Sequence, residues 1–197
     1  IVHYDGKDFE KMESGTDVDL KNVDGTPDGE YVFISGWNWS GYNNTSPLIQ
    51  IHNGHIEKIY ESTDPGGNAE DWGRIESVKV IGSFLYITTW GRDFIRYHYK
   101  TGRVVEEHFI ESLPAFRDLL VNELASAGYN DIIAASWLGD AVHFNGYSWR
   151  RVLTSMGREV AIEGCDYRGD VVVLVGSYYV PEWGNSVGLI IRGRHLN

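Results

Sequence analysis

The chain has 197 residues, a net charge of −11 and 42% apolar residues, which describes a folded protein rather than a disordered one. The negative balance argues against a nucleic-acid or anionic-membrane surface, since both recruit basic patches. The single cysteine, Cys165, excludes an internal disulfide, and no apolar run approaches the roughly 18 residues that a spanning helix needs.

The chain begins at Ile1 rather than Met, which fits processing (a removed signal peptide among the possibilities), trimming or a fragment. Val2-His3-Tyr4-Asp5-Gly6-Lys7-Asp8-Phe9 then reads as two short strands around a turn. Val142-His143-Phe144-Asn145-Gly146-Tyr147-Ser148-Trp149 is nearly the same string, with the Asn-Gly pair that favours a hairpin. Looser copies stand at Ile51–Ile56 and Tyr97–Val104, and Ile190-Ile191-Arg192-Gly193 begins a fifth. The turn glycines Gly6, Gly54, Gly102, Gly146 and Gly193 are 48, 48, 44 and 47 residues apart. A period of this size marks a repeat fold.

Each hairpin is followed by a further strand, a tight turn and a more apolar strand. Arg74–Ile81, Gly82-Ser83 and Phe84–Trp90 form one such set. Tyr31–Trp37, Ile132–Trp137 and Val171–Tyr178 match the last strand of that set. These runs are β-branched and near-continuously apolar, as strands buried on both faces are. Small residues precede the closing aromatic in each: Ser35-Gly36, Thr88-Thr89, Ala135-Ser136 and Gly176-Ser177. They are expected to let neighbouring sheets approach closely. The one helical candidate is Leu113–Ala127. The register of the repeat reduces it to a helical turn within 112–118, with strand at 119–124.

Four antiparallel strands per unit, here termed inner, second, third and outer, give an all-β fold in a single domain. The repeats run over 2–47, 48–93, 94–140 and 141–186, with a closing strand at 187–193. The whole chain resembles a β-propeller repeat protein, most simply one with four blades. The repeated apolar-His-aromatic-Asp/Asn-Gly string is similar to the third-to-outer hairpin of bacterial, archaeal and phage propellers. The size is similar to that of hemopexin-like propellers, whose motifs and closing disulfide are absent. No WD dipeptide, kelch diglycine or sialidase Asp-box appears. The resemblance implies a fold and no substrate.

The strand count leaves one surplus. Third strands occur five times, at 2–5, 48–52, 94–99, 141–145 and 188–192, but outer strands four times. Ring closure with the outer strand of the last blade drawn from Lys7–Met12 is the preferred arrangement. The surplus strand is then the natural contact for self-association.

Counting six residues back from Gly25, Gly82, Gly128 and Gly169 reaches Asp19, Glu76, Asn122 and Glu163. Inner strands line a propeller channel, so these four can form an oxygen-rich ring. Hard cations such as Ca²⁺ take about six to eight oxygen ligands, and the ring is therefore a candidate calcium site. The competing reading leaves them as polar channel residues.

The long connections, 37–47, 62–73, 111–117 and 178–186, fall on the face where inner strands begin. Trp37, Trp90, Trp137 and Tyr178 follow the repeat and read as core between blades. Trp39, Tyr42, Trp72 and Trp183 break it, and with Tyr179 they read as a surface for a glycan or a protein. His3, His52, His98 and His143 lie on third strands of separate blades and read as half-exposed strand residues. Three sequons, at Asn38, Asn43 and Asn44, favour an extracellular or cell-surface location. No nucleophile triad, P-loop or zinc spacing stands out. The expected function is non-enzymatic binding or assembly. The rival is a glycosidase or lyase using Asp19, Glu76 and Glu163 with the loop acids Asp64, Glu70 and Asp71.

Overall fold

The computed structural model describes residues 1–38, 45–63, 71–90, 93–109, 113–116, 119–154 and 160–194. The chain opens with a hairpin of β1 (Val2–Tyr4) and β2 (Phe9–Lys11). The first blade holds β3 (Leu20–Gly25), β4 (Tyr31–Gly36), β5 (Ser46–His52) and β6 (His55–Ser62). The second holds β7 (Ile75–Ile81), β8 (Phe84–Thr89), β9 (Asp93–His98) and β10 (Arg103–Phe109). The third holds β11 (Val121–Gly128), β12 (Asp131–Ser136), β13 (Ala141–Phe144) and β14 (Trp149–Leu153). The fourth holds β15 (Val160–Arg168), β16 (Val171–Val180) and β17 (Asn185–Arg194). Every ladder is antiparallel between sequence neighbours, as expected of blades built from hairpins. The described helix is a single 3-10 turn at Pro114–Phe116, and the strand resumes at Val121, as the repeat register requires.

Turn chemistry fixes the registers. Asn53 and Gly54 both take positive φ (51° and 75°), the geometry that joins β5 to β6 through two residues without splaying them. The first hairpin and the β13–β14 hairpin are the same object. Asp5 Oδ1 accepts from the amides of Lys7 (2.8 Å) and Asp8 (2.7 Å), and Asn145 Oδ1 accepts from those of Tyr147 (3.1 Å) and Ser148 (3.0 Å). The flanking pairs Tyr4–Phe9 and Phe144–Trp149 meet across the strands with ring centroids 4.6 and 5.1 Å apart, the first stacked and the second tilted.

Apolar side chains pack the blades face to face. Phe33, Leu48, Ile75, Leu85, Ile87 and Ile95 join the first blade to the second. Phe116, Val121, Ile132 and Val142 join the second to the third, and Ala125, Ile133, Ile162 and Leu174 the third to the fourth. Phe33 is fully buried, so its truncation to Ala should cost about 3–5 kcal/mol.

Two of the small residues at the ends of second strands, Gly36 and Gly176, are required by their own paired inner strand. A Cβ on Gly36 would meet the backbone oxygen of Asp19 at 2.1 Å, and one on Gly176 that of Ala161 at 2.0 Å. The crowding comes from the paired inner strand, not from a neighbouring sheet.

The blades follow one another along an arc. β3 packs on β7, β7 on β11 and β11 on β15, while among the described residues no comparable packing joins β15 back to β3. Burial agrees: β7 and β11 carry consecutive buried residues, whereas β3 and β15 keep exposed positions. Asn185–Arg194 takes the third place beside β16, and among the described residues Val2–Tyr4 pairs with Phe9–Lys11 alone. The expected ladder from Lys7–Met12 onto the fourth blade does not form, because the hairpin precedes the blade at the opposite end of the arc.

Candidate functional site

All four inner strands carry a β-bulge at the same place. Across the inner hairpins, Leu20 faces Gly36 and Asn22 faces Ser35, leaving Lys21 without a cross-strand partner. Glu76, Asn122 and Glu163 are bulged identically in the other three blades. Three of the four expected ring positions are therefore equivalent, and Asp19 is not. The first blade joins its inner and second strands through Thr26–Glu30, longer than the two-residue turn at Gly82-Ser83, so counting back from Gly25 overshoots by two. Lys21 stands where an oxygen donor was expected. Asp19 lies just ahead of β3, exposed, its amide donating to Asn38 Oδ1 at 2.9 Å.

The bulge brings a cation and aromatic rings to the start of the inner strands. Trp37, Trp90 and Trp137 occupy one register, their amides donating to the carbonyls of Asp19 (3.0 Å), Arg74 (2.8 Å) and Leu120 (3.0 Å). The Arg74 guanidinium lies 4.0 Å from the Trp37 ring centroid and 3.7 Å from that of Trp90. Lys21 Nζ sits 4.7 Å from Trp37, so cations and rings alternate. Arg74 Nε also donates to Glu76 Oε1, and both side chains are buried. Burial pushes the Glu76 carboxyl above its ordinary range, and Arg74 and Lys21 oppose the rise.

Trp90 and Trp137 are 37% and 42% exposed, so the repeat tryptophans form the rim of this face rather than core between blades. In the fourth blade the register places Ser177, not Tyr178, and its Oγ donates to Glu163 at 3.0 Å. Asn22 and Asn122 tie adjacent inner strands, donating to the carbonyls of Glu76 (2.7 Å) and Ile162 (2.8 Å). Among the described residues, no group of three or more His, Cys, Asp or Glu is arranged to hold a metal. The bulged set does not fit a calcium ion: one member is a lysine, and Glu76 is already paired with Arg74.

The predicted aromatic surface divides. Trp39 and Tyr42 lie outside the described residues, as do the acids Asp64 and Glu70. Trp72 is half-buried and stacked on Tyr60 (centroids 4.0 Å apart, planes at 22°). Beside it, Asp71 accepts from the hydroxyls of Tyr60 (2.8 Å) and Ser62 and from the amides of Thr63 (2.9 Å) and Gly73 (2.9 Å). Burial would raise the Asp71 carboxyl, but these bonds outweigh it and hold it at about 2. Asp71 and Trp72 thus brace a connection. Tyr179 (44%) and Trp183 (68%) are exposed on the β16–β17 hairpin.

Sequence reasoning missed Arg74, Lys21 and Glu123. Burial pushes the Glu123 carboxyl up to about 7, with nearby Glu76 adding to the rise and Lys79 opposing it. A charged residue one step from an apolar pair was the available signal, but bulges leave no mark in a sequence. Burial also pushes the Cys165 thiol up to about 12, which suits an inert core thiol. The histidines stay apart, as expected. His52 meets Glu30 at 3.3 Å, while His143 meets Asp131 at 2.6 Å.

No protein-family model and no curated protein matches the sequence. Among solved structures, the chain is similar to the structure of U3-55K and to the WD40 repeats of RRP9. Each has a TM-score of 0.57 at 12% identity, over 88% of this chain and 52% of that one. It is also similar to the computationally designed Ika4 protein (TM-score 0.54, 10% identity, 92% of this chain and 99% of that one). This chain thus spans about half the length of the two WD40 chains. At such identities the likeness concerns the fold alone. Strand order, blade succession and these likenesses agree that the chain is a four-bladed β-propeller arrangement.

Proposed function

We propose that this chain is a non-enzymatic binding and assembly propeller, acting outside the cell, which offers the face where its inner strands begin to a protein partner. The observation that carries the reading is the shared register of Trp37, Trp90 and Trp137, with Arg74 between Trp37 and Trp90 and with Trp90 and Trp137 part-exposed. Tryptophan and arginine dominate protein hot spots, because they combine large apolar area with fixed polar geometry. Self-association through a terminal strand is the assembly half of the proposal.

The second reading, a hydrolase or lyase acting on a glycan, is favoured by one feature: burial pushes the Glu123 carboxyl up to about 7, a range in which a general acid works. A displayed peptide library and a glycan array, each screened with the natural chain and with Trp90→Ala/Trp137→Ala, separate the readings. Peptides retained by the natural chain and lost by the variant are the expected result. Retention confined to glycans would transfer the face to carbohydrate, and turnover of a bound glycan would make it an active site.

A further inference from the structure

Among the described residues, the fourth blade holds three strands and no outer one. Its sheet ends at β17, whose far edge is unpaired among the described residues. Beside that edge runs a groove of about 590 Å³ between β13–β14 and β16–β17, lined by Ala141, Val152, Leu153, Val172, Leu174 and Ile191. The preceding interface shows what belongs there. Trp149, the first residue of the outer strand β14, crosses to the second blade and packs edge-on against Phe94 (5.0 Å) and Phe116 (4.6 Å). In register, Ala141 of β13 holds the place of Phe94 of β9, so the groove lies where the corresponding outer-strand aromatic would enter.

The chain carries that missing piece at its other end. The β1–β2 hairpin repeats the β13–β14 hairpin in turn geometry and aromatic pair, and Phe9 is the counterpart of Trp149. Its apolar face covers nothing: Val2, Tyr4 and Phe9 are 66%, 53% and 76% exposed. Residues 1–19 hold six acids against two lysines, while Arg150, Arg192 and Arg194 border the groove.

We propose that β2 of a second copy of this chain completes the fourth blade: it leaves β1 and offers the freed edge to β17 in an antiparallel ladder, while Phe9 enters the groove. This develops the assembly half of the proposed function and does not depend on the aromatic face. A copy's own hairpin cannot serve, because it precedes the first blade, and among the described residues no packing comparable to that between successive blades joins the fourth blade to the first. The junction is head to tail, so a two-fold pair of copies would close with two equal junctions.

Light scattering of the full chain after size exclusion tests this. The natural chain should run at twice its chain mass. Phe9→Asp removes the inserted aromatic, and Val152→Asp charges the groove. Both positions are exposed, so both variants should stay folded by circular dichroism and run as monomers. Mixed one to one, Phe9→Asp supplies an intact groove and Val152→Asp an intact hairpin, and dimer should return through a single junction. A monomeric natural chain overturns the proposal, as do single variants that still dimerise or a mixture that stays monomeric. None of these outcomes bears on peptide retention by Trp90 and Trp137.

Discussion

The Arg74 guanidinium lies 3.7 Å from the ring centroid of Trp90 while its Nε donates to buried Glu76. One side chain therefore serves a rim tryptophan and an inner-strand carboxylate together. Replacing Arg74 by Met leaves Glu76 buried without its cation, which should cost about 3–5 kcal/mol. Urea denaturation measures the loss, and adding Glu76→Gln should recover most of it. If Arg74→Met alone is neutral, the pair does not set the stability of the channel mouth.

Asp71 holds its connection through four donors, and Asp71→Asn should cost about 1–2 kcal/mol, since solvent screens part of the charge. The sign with pH follows from its lowered titration. The native carboxylate stays charged down to about pH 2, whereas the unfolded one protonates near the ordinary aspartate value of 3.8. Its contribution is present above that value and fades as pH falls toward 2. Thermal melts at acid pH should therefore converge for the natural chain and Asp71→Asn.

Glu123 behaves in the opposite sense. Its folded carboxyl titrates near 7 and its unfolded one near 4.5, so the native state holds a proton that the unfolded chain has released. Stability from this group is full below 4.5 and disappears as pH rises through 7. Glu123→Gln should gain at most about 3 kcal/mol at alkaline pH and nothing near the unfolded value. Paired urea curves on either side of the window check it. An equal gain at both ends would mean that packing, not charge, limits the site.

Removal of divalent cations should leave the melting temperature unchanged. Lys21 and Arg74 already supply positive charge beside Glu76, and a native-state metal would show itself as lost stability on chelation. A drop in the melting temperature with chelator would return calcium to the channel mouth.

The repeat was legible because turn chemistry is local: an Asp or Asn before a glycine fixes a hairpin wherever it falls, and the buried runs at Phe84–Thr89 and Ile132–Ser136 follow from their composition. The ring was only partly legible. Glu76, Asn122 and Glu163 share a register that glycine counting found, but a five-residue connection in the first blade hid Lys21. The tryptophans misled for a related reason. An apolar run ending in Trp looks like core, yet where the strand leaves the sheet depends on the bulge opposite, and Trp90 and Trp137 emerge just past it. Closure was not legible, since the curvature that keeps β15 from β3 is a sum over whole interfaces.

The bulge has a consequence for how this scaffold can diverge. A residue with no partner across the ladder can be exchanged without disturbing the pairing on either side, and the same opening recurs once per blade around the channel. The four blades already hold lysine, glutamate, asparagine and glutamate there. Strand pairing fixes the address of each side chain but not its chemistry: the same opening holds a lysine, two glutamates and an asparagine, and what limits each is its local partner, Arg74 for Glu76 and the Ile162 carbonyl for Asn122, rather than the ladder.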